Sequence, residues 1–282
     1  WNRKKSNFLL ITEIFFCFLV LFGVLSLVVY NVRNYNKPLG FEHENVWLLT
    51  MRPSNDSTAQ NRQHLEQIMQ RAKGFQEIES VALTSSNAPF AFSQMNNDVT
   101  YDNKRILANF YEVQDDFDQV MRVQVSHGRW FGPQDNASHH QPIVINKAFR
   151  QQLFEGEDPL GKLIPRNDSS NYQVVGVVEH YRSDSEYAPE EPAFFDRINL
   201  PKNENAFYGE LLIRVRPGTG IAFEEKMVKA FTGIAKDWTL EVVTLEKMRQ
   251  NKSKLAMVPL IALAVVCGFL IFNVALGLFG VL

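Results

Sequence analysis

Glu210-Leu211-Leu212-Ile213-Arg214-Val215-Arg216 runs into Pro217-Gly218-Thr219-Gly220, then into a segment whose apolar residues Phe223, Met227, Ala230, Phe231 and Ile234 share one helical face, and ends in Thr239-Leu240-Glu241-Val242-Val243-Thr244. A short apolar run closed by a proline and glycine turn reads as a buried strand, and spacings of three and four read as an amphipathic helix. The stretch predicts strand, helix, strand. The same order occurs earlier in the chain. Val46 to Met51 reads as a buried strand, and Ser57 with Gln60 gives capping-box spacing ahead of Leu65, Ile68, Met69 and Ala72. Gly74 closes that helix, and Ile78 to Thr84 makes a further strand. Two such units are what a split, ferredoxin-like α+β layer requires, with helices covering one face of a sheet.

Residues 31–89 and 206–244 are assigned to this layer, and residues 90–205, of different texture, to an inserted mixed α/β second lobe. The insert holds the polar loop Gly132 to Gln141, a short helix Asn146 to Phe154 and the strand Tyr172 to Val178. Ser183 to Pro192 is acidic, contains two prolines and reads as a mobile loop.

Outward from this domain the chain becomes apolar at both ends. Residues 8–30 are almost unbroken apolar sequence, and at about 1.5 Å of rise per residue they cover a hydrocarbon core of roughly 30 Å. Residues 257–282 form a second such stretch, uncharged, with Asn273 as its strongly polar residue. The competitor for the first stretch is a cleaved signal peptide, whose apolar part is shorter and ends in small residues rather than in Val28-Val29-Tyr30-Asn31. A retained helix is the reading adopted. Arg3, Lys4 and Lys5 place the flank, residues 1–7, in the cytoplasm and the middle domain outside it. Lys247, Arg249, Lys252 and Lys254 argue the other way, but they close a segment too long for that rule to bind firmly. Residues 245–256, rich in helix formers and free of glycine and proline, read as a helical stalk above the second span.

The roughly 220 residues outside the spans suffice for one large domain or two small ones. The net charge is −2; taking away Arg3, Lys4, Lys5 and Glu13, together +2, leaves −4, so no nucleic-acid partner is indicated. Cys17 and Cys267 lie in the spans, which leaves the middle domain without a disulfide and dependent on packing.

No catalytic, cofactor-binding or metal-ligating residue is assigned. Gly156-Glu157-Asp158-Pro159-Leu160-Gly161-Lys162-Leu163 has the glycine and lysine spacing of a phosphate loop. However, Leu163 stands where a hydroxyl should meet magnesium, Glu157 and Asp158 repel phosphate, and Phe149 to Phe154 looks helical where a strand should lead in. It reads as a structural turn. Of His43, His64, His127, His139, His140 and His180 only two are neighbours, and adjacent residues of an extended loop point to opposite sides. Asp115-Asp116 reads as a solvated pair, and no hydrolase elbow, zincin motif or free thiol occurs between the spans. Within the spans, Glu13 either faces a protein interior or snorkels to the headgroups, Asn273 faces an interior, and Ala264 with Gly268 permits close helix contact.

Several strings, in order, carry a family resemblance. They are Pro38-Leu39-Gly40-Phe41, Asn45-Val46, Glu79-Ser80-Val81-Ala82-Leu83, Ala88-Pro89-Phe90, Gly128-Arg129-Trp130-Phe131, Val144-Ile145-Asn146-Lys147-Ala148-Phe149, the Gly156 to Lys162 turn, Val174-Val175-Gly176-Val177-Val178 and Leu276 to Leu282. On these the chain resembles the MacB/FtsX-like permeases of ABC transporters, particularly stand-alone permeases of Bacteroidetes type. The resemblance implies a porter-like layer with an inserted lobe, four spans in all, and an inner-membrane setting with the large domain in the periplasm. It also implies a chain that hydrolyses no ATP and needs no cofactor of its own, ATP being bound by a cytoplasmic ABC ATPase. A second permease copy and a periplasmic membrane-fusion protein are the further partners implied, besides the bilayer. By the same likeness the chain, opening at Trp1 and stopping at Leu282, is trimmed before the segment that meets the ATPase. The rival from another class is the extracytoplasmic sensor region of a two-helix receptor or kinase. A third reading, a tethered enzyme, needs a pocket of converging ionisable groups that the sequence does not announce.

Overall fold

Side-chain alternation builds the first layer. The computed structural model of the protein describes residues 2–54, 57–85, 87–166, 170–200 and 206–281, with the backbone alone at 2–7, 9, 10, 13 and 277–281. In chain order the first elements are α1 (Asn2–Tyr35), β1 (Val46–Arg52), α2 (Thr58–Lys73), β2 (Ile78–Thr84), β3 (Asn96–Tyr101), β4 (Lys104–Val113), α3 (Phe117–Met121) and β5 (Val125–Gly128). A single 3-10 turn (Pro133–Ala137) follows, then β6 (Gln141–Asn146), α4 (Lys147–Phe154), β7 (Leu163–Pro165), β8 (Asn171–Val178) and β9 (Ala193–Arg197). The chain closes with β10 (Glu210–Val215), α5 (Ile221–Ile234), β11 (Thr239–Thr244) and α6 (Leu245–Val281).

One compact unit comprises Pro38–Asp184 with Pro189–Gln250. Its first layer runs β11-β1-β10-β2, every neighbour antiparallel. That order is the ferredoxin-like arrangement expected of two split strand–helix–strand units. Leu49 of β1, Val81 and Leu83 of β2 and Leu211 and Ile213 of β10 face a core closed by Leu65, Ile68 and Ala72 of α2 and Phe223, Met227 and Phe231 of α5. Ser57 stands at the N-cap of α2 in extended conformation, without a side-chain capping bond.

The opposite face of the same strands, through Leu48, Ala82 and Leu212, enters a different core that is shared with the insert: Phe117, Val120 and Met121 of α3, Trp130, Tyr181 and Phe195. The insert contributes the rest of the sheet, β4-β9-β6-β8-β5, in which β4 with β9 and β6 with β8 are parallel. The two parts meet at Thr84–Val113. A third core lies under α4, around Phe149, Phe154, Ile164 and Phe194.

The other unit holds the residues up to Lys37, Ser185–Ala188 and the residues from Asn251 onward. Ile14–Tyr35 and Leu245–Leu276 are long and apolar enough to cross a membrane, and Phe18, Phe22 and Phe269 point outward. Asn34 is buried and donates through Nδ2 to the Tyr187 carbonyl at 2.9 Å, while the Tyr35 and Tyr187 rings stack at 5.6 Å. The Asn273 amide turns back on its own helix and donates one N–H to the Phe269 carbonyl at 2.9 Å. The Glu13 side chain lies outside the described residues.

The mobile loop expected at Ser183 to Pro192 is instead tied down. Ser183 and Ser185 are buried, the Ser183 hydroxyl meets the Tyr111 phenol, and the Ser183 carbonyl accepts from the Phe90 N–H at 2.7 Å. Composition signalled a solvated tract, but partners distant in sequence hold it.

Candidate functional site

The segments through which the chain continues into its two apolar helices are rooted in one core. On the amino-terminal side, Gly40 sits at φ +86°, and an added Cβ would lie 1.9 Å from the His180 carbonyl oxygen, so no other residue fits. That close approach seats Phe41 against Phe90 and Tyr181, with ring centroids at 5.7 and 5.1 Å. The Arg182 N–H donates to the Leu39 carbonyl at 2.9 Å.

Arg214, buried near the end of β10, clamps the same segment. Its Nε donates to the Val120 carbonyl at 2.6 Å, Nη1 to the Glu44 carbonyl at 3.2 Å and Nη2 to the Glu42 carbonyl at 3.1 Å. Three main-chain oxygens from two separate segments thus share one guanidinium, a use for which its fixed fork of donors suits it. Burial, and the neighbouring Arg122, pull its pKa down from the ordinary value. Arg122 in turn donates to the Glu42 carboxylate at 2.7 Å.

On the carboxyl-terminal side α6 starts inside the unit. Thr244 Oγ1 accepts from the Lys247 N–H at 3.1 Å, capping the helix. Leu245 is fully buried in the core that holds Phe41, and Met248 packs against it. Glu246 accepts from Arg249 Nε and Nη2 at 3.0 and 2.9 Å and from Gln250 at 2.9 Å. Arg249, with Gln250 and His43, holds this carboxyl below the usual range, as does its place in the first turn of a helix. His43 Nδ1 lies 3.2 Å from Glu246 Oε2, which brings the segment after α1 against the start of α6.

The remaining strings singled out in the sequence serve the scaffold. Gly128 at φ +75° and Gly176 let β5 and β8 approach, an added Cβ at Gly176 falling 2.1 Å from the Arg129 carbonyl oxygen. Arg129 makes a bidentate pair with Asp135 at 2.7 and 2.6 Å. Burial works against ionisation of Asp135, but Arg129 and the Gly132 N–H outweigh it and hold the carboxyl low. Asn146, fully buried, accepts from the Phe149 and Ala193 N–H groups, both at 2.9 Å, and donates to the Glu191 carbonyl at 2.8 Å, so it joins β6, α4 and β9.

Gly156 to Lys162 follows α4 and leads into β7, the reverse of the strand-then-helix order of a phosphate loop. Arg150 donates to the Gly156 and Glu157 carbonyls, and Lys162 pairs with Glu157 at 2.7 Å. Asp115 is drawn in by two donors of buried Arg197 at 2.6 and 2.7 Å, whereas Asp116 stays solvated and faces exposed Lys73 at 3.4 Å. The histidines are dispersed, with His127 by Asp158, His180 by Glu190 and His64 against Trp238. Among the described residues no three His, Cys, Asp or Glu side chains gather as metal ligands. Sequence reasoning missed Arg214 and the His43–Glu246 contact; an arginine in the run Leu211-Leu212-Ile213-Arg214-Val215 was the available signal.

Residues 11–229 match the profile of the MacB-like periplasmic core domain. The macrolide export ATP-binding/permease protein MacB of Pasteurella multocida is 35% identical over 77 residues, which is 27% of this chain and 12% of that protein. An uncharacterized ABC transporter permease of Bacillus subtilis, YvrN, is 36% identical over 67 residues, 24% of this chain and 16% of its own length. The aligned stretches therefore span less than a fifth of either relative. The crystal structure of the periplasmic region of MacB from Actinobacillus actinomycetemcomitans superposes with a TM-score of 0.52 at 16% identity, covering 78% of this chain and 97% of that one, a likeness of fold.

Proposed function

The chain belongs to the MacB-like periplasmic core domain family, and on that footing we propose that it passes movement between its two apolar helices and its folded extracytoplasmic unit, as part of a MacB/FtsX-like ABC transporter permease. The observation that supports this reading is the common rooting of both helix connections in one core, with the Arg214 clamp on one and the His43–Glu246 contact between them. Close packing transmits displacement rather than absorbing it. In this reading the helices cross the inner bacterial membrane and the unit lies in the periplasm. ATP is bound and hydrolysed by a separate cytoplasmic ABC ATPase, two permease copies work together, and a membrane-fusion protein is a further partner. The work is export or extraction of a substrate.

The test is Lys252→Pro in the full-length permease purified with its ATPase. Proline removes one N–H and clashes with the preceding turn, at a cost of about 3 kcal/mol in a helix interior. Assembly and ATP hydrolysis should persist while transport is lost. Normal transport by this variant, or normal work by the protein without any ATPase, contradicts the proposal.

A further inference from the structure

Near its carboxyl end α1 carries a buried polar side chain whose cover comes from far along the chain. Val32, Arg33 and Tyr35 are exposed, whereas Asn34 is 2% exposed. The cover is Ser185–Ala188, a four-residue clip that leaves the folded unit after Asp184 and re-enters it at Pro189. The Asn34 amide is used at both ends: Nδ2 donates to the Tyr187 carbonyl at 2.9 Å, and Oδ1 accepts from Lys37 Nζ at 3.1 Å. Ser185 Oγ accepts from the Ala188 N–H at 3.1 Å, which closes the clip into a turn with the Tyr187 carbonyl toward α1.

The level of this clip along the helix decides what surrounds it. Ile14–Tyr35 is 22 residues long, about 33 Å at 1.5 Å per residue, against a hydrocarbon core of roughly 30 Å. When that stretch fills the core, Tyr35 and the Tyr187 ring stacked on it at 5.6 Å fall in the headgroup layer. The side chains at this level suit such a layer. Tyr30 and Tyr35 are half-exposed, and a tyrosine ring with its polar tip is favoured where hydrocarbon meets water. Arg33 and Lys37 flank Tyr35 on α1, and Lys252 and Lys254 stand where α6 turns apolar at Leu255. These four cations outnumber the one carboxylate of the clip, Glu186, and leave the level positive, as contact with lipid phosphates favours.

We propose that the Ser185–Ala188 clip is a lipid-headgroup contact, in which Tyr187, stacked on Tyr35, rests in the phosphate layer of the bilayer and Asn34 holds it there. Tyr35, Arg33 and Lys37 supply the part of α1, and Tyr187 supplies the part of the insert. The insert is thereby tied to the membrane surface at a point of its own, separate from the roots at Phe41 and Leu245. The proposal rests on the reading that α1 crosses a membrane and requires no movement of the helices.

The test uses the full-length protein, with Cys17 and Cys267 replaced by alanine, in nanodiscs of phosphatidylethanolamine and phosphatidylglycerol. A nitroxide is attached at Ala188→Cys and, in a second sample, at Phe22→Cys, an exposed position within the span. Collision of the nitroxide with oxygen, which partitions into lipid, and with a water-soluble nickel chelate gives its depth. Phe22 should read as hydrocarbon and Ala188 as the phosphate level, a comparison that needs no destabilising variant. In Asn34→Leu, which removes the donor and keeps the volume, collision with the chelate at Ala188 should rise severalfold while Phe22 is unchanged. A water-like reading at Ala188 with hydrocarbon at Phe22 overturns this proposal alone, whereas water-like readings at both overturn the membrane reading beneath it. Shielding of Ala188 from oxygen and chelate alike also overturns it, because protein rather than lipid then covers the clip. A depth at Ala188 that Asn34→Leu leaves unchanged overturns the part given to Asn34.

Discussion

Replacing Arg214 by methionine keeps most of the side-chain volume and removes every donor of the clamp. Three carbonyl oxygens, of Val120, Glu44 and Glu42, lose their partner. A buried acceptor left unpaired costs about 1–3 kcal/mol. The Val120 bond is wholly buried, whereas those to Glu44 and Glu42 are partly buried and water can replace them in part. Against this loss stands the relief of no longer desolvating a guanidinium. The balance is a destabilisation of about 2–4 kcal/mol. At about 2–4 °C per kcal/mol for a unit of this size, the midpoint should fall by about 5–15 °C. Arg214→Lys, with one ammonium in place of a fork, should fall between wild type and methionine. Arg122→Gln is the control, because Arg122 contacts the same Glu42 from an exposed position and should change stability by no more than about 0.5 kcal/mol. Thermal unfolding of the full chain in detergent, followed by circular dichroism, reads all three. A methionine variant as stable as wild type, or one no worse than Arg122→Gln, refutes the assignment of Arg214 as the clamp.

Asn146→Ala should cost about 2–4 kcal/mol, since the buried Phe149 and Ala193 N–H groups both lose their acceptor; denaturant midpoints check this, and an unchanged midpoint contradicts it. Gly176→Ala places a Cβ 2.1 Å from a main-chain oxygen that cannot swing aside, so β5 and β8 must part, at about 1–3 kcal/mol; the same denaturation series measures it, while Gly156→Ala, which meets no neighbour, probes the cost of the turn alone. Burial pushes the Glu210 carboxyl up to about 7, with Arg52 partly opposing. The folded state therefore holds this proton more tightly than the unfolded chain, and the associated stability is full in acid and lost as pH rises through about 7. Glu210→Gln should remove that slope and, above neutrality, exceed wild type by no more than about 2 kcal/mol after screening of a partly exposed group; urea midpoints across the pH range that are parallel for the two proteins would count against it.

The first layer was legible because its signals are local. Leu65, Ile68, Met69 and Ala72 announce a helix by spacing alone, and Val46 to Met51 and Ile78 to Thr84 announce strands by composition. Two such units then leave few sheet orders, and β11-β1-β10-β2 is the one found. The insert was legible only in part. Asn146 to Phe154 and Tyr172 to Val178 were readable, but α3 is five residues long and β9 is buried along its whole length, so neither shows a period. Parallel pairing of β4 with β9 joins residues about 84 apart in sequence, Asn109 with Ala193, and nothing local encodes it. The Arg214 clamp illustrates the limit for the site. The arginine is visible in an apolar run, but its partners are main-chain oxygens, which carry no side-chain identity to read. Asp115 was misread for a related reason: adjacency to Asp116 suggested solvent, while the deciding partner, Arg197, lies far along the chain.

The register of the first layer separates its two kinds of connection. At one end of the strands Val46 pairs with Arg214 and Trp47 with Thr244, and there the chain continues toward α1 and α6. At the other end Thr50 pairs with Glu210 and Glu210 with Thr84, and there the insert departs and returns. Four residue steps along β1, from Val46 to Thr50, separate the two rows, about 13 Å at 3.3 Å per residue. If the chain works as proposed, movement applied at the roots has two routes across that interval. One passes along the strands to the short junction of β2 with β4, where the Ser85 N–H donates to Glu112 at 2.9 Å and the Gln114 N–H donates to Leu83 at 3.1 Å. The other passes through the shared core, where Arg214 grips the Val120 carbonyl at the end of α3 and Phe117 packs against Trp130 and Phe195. A few hydrogen bonds at a sheet junction shear more readily than a close-packed aromatic core. The insert should therefore follow the roots through α3, with the β2–β4 junction as the place that yields.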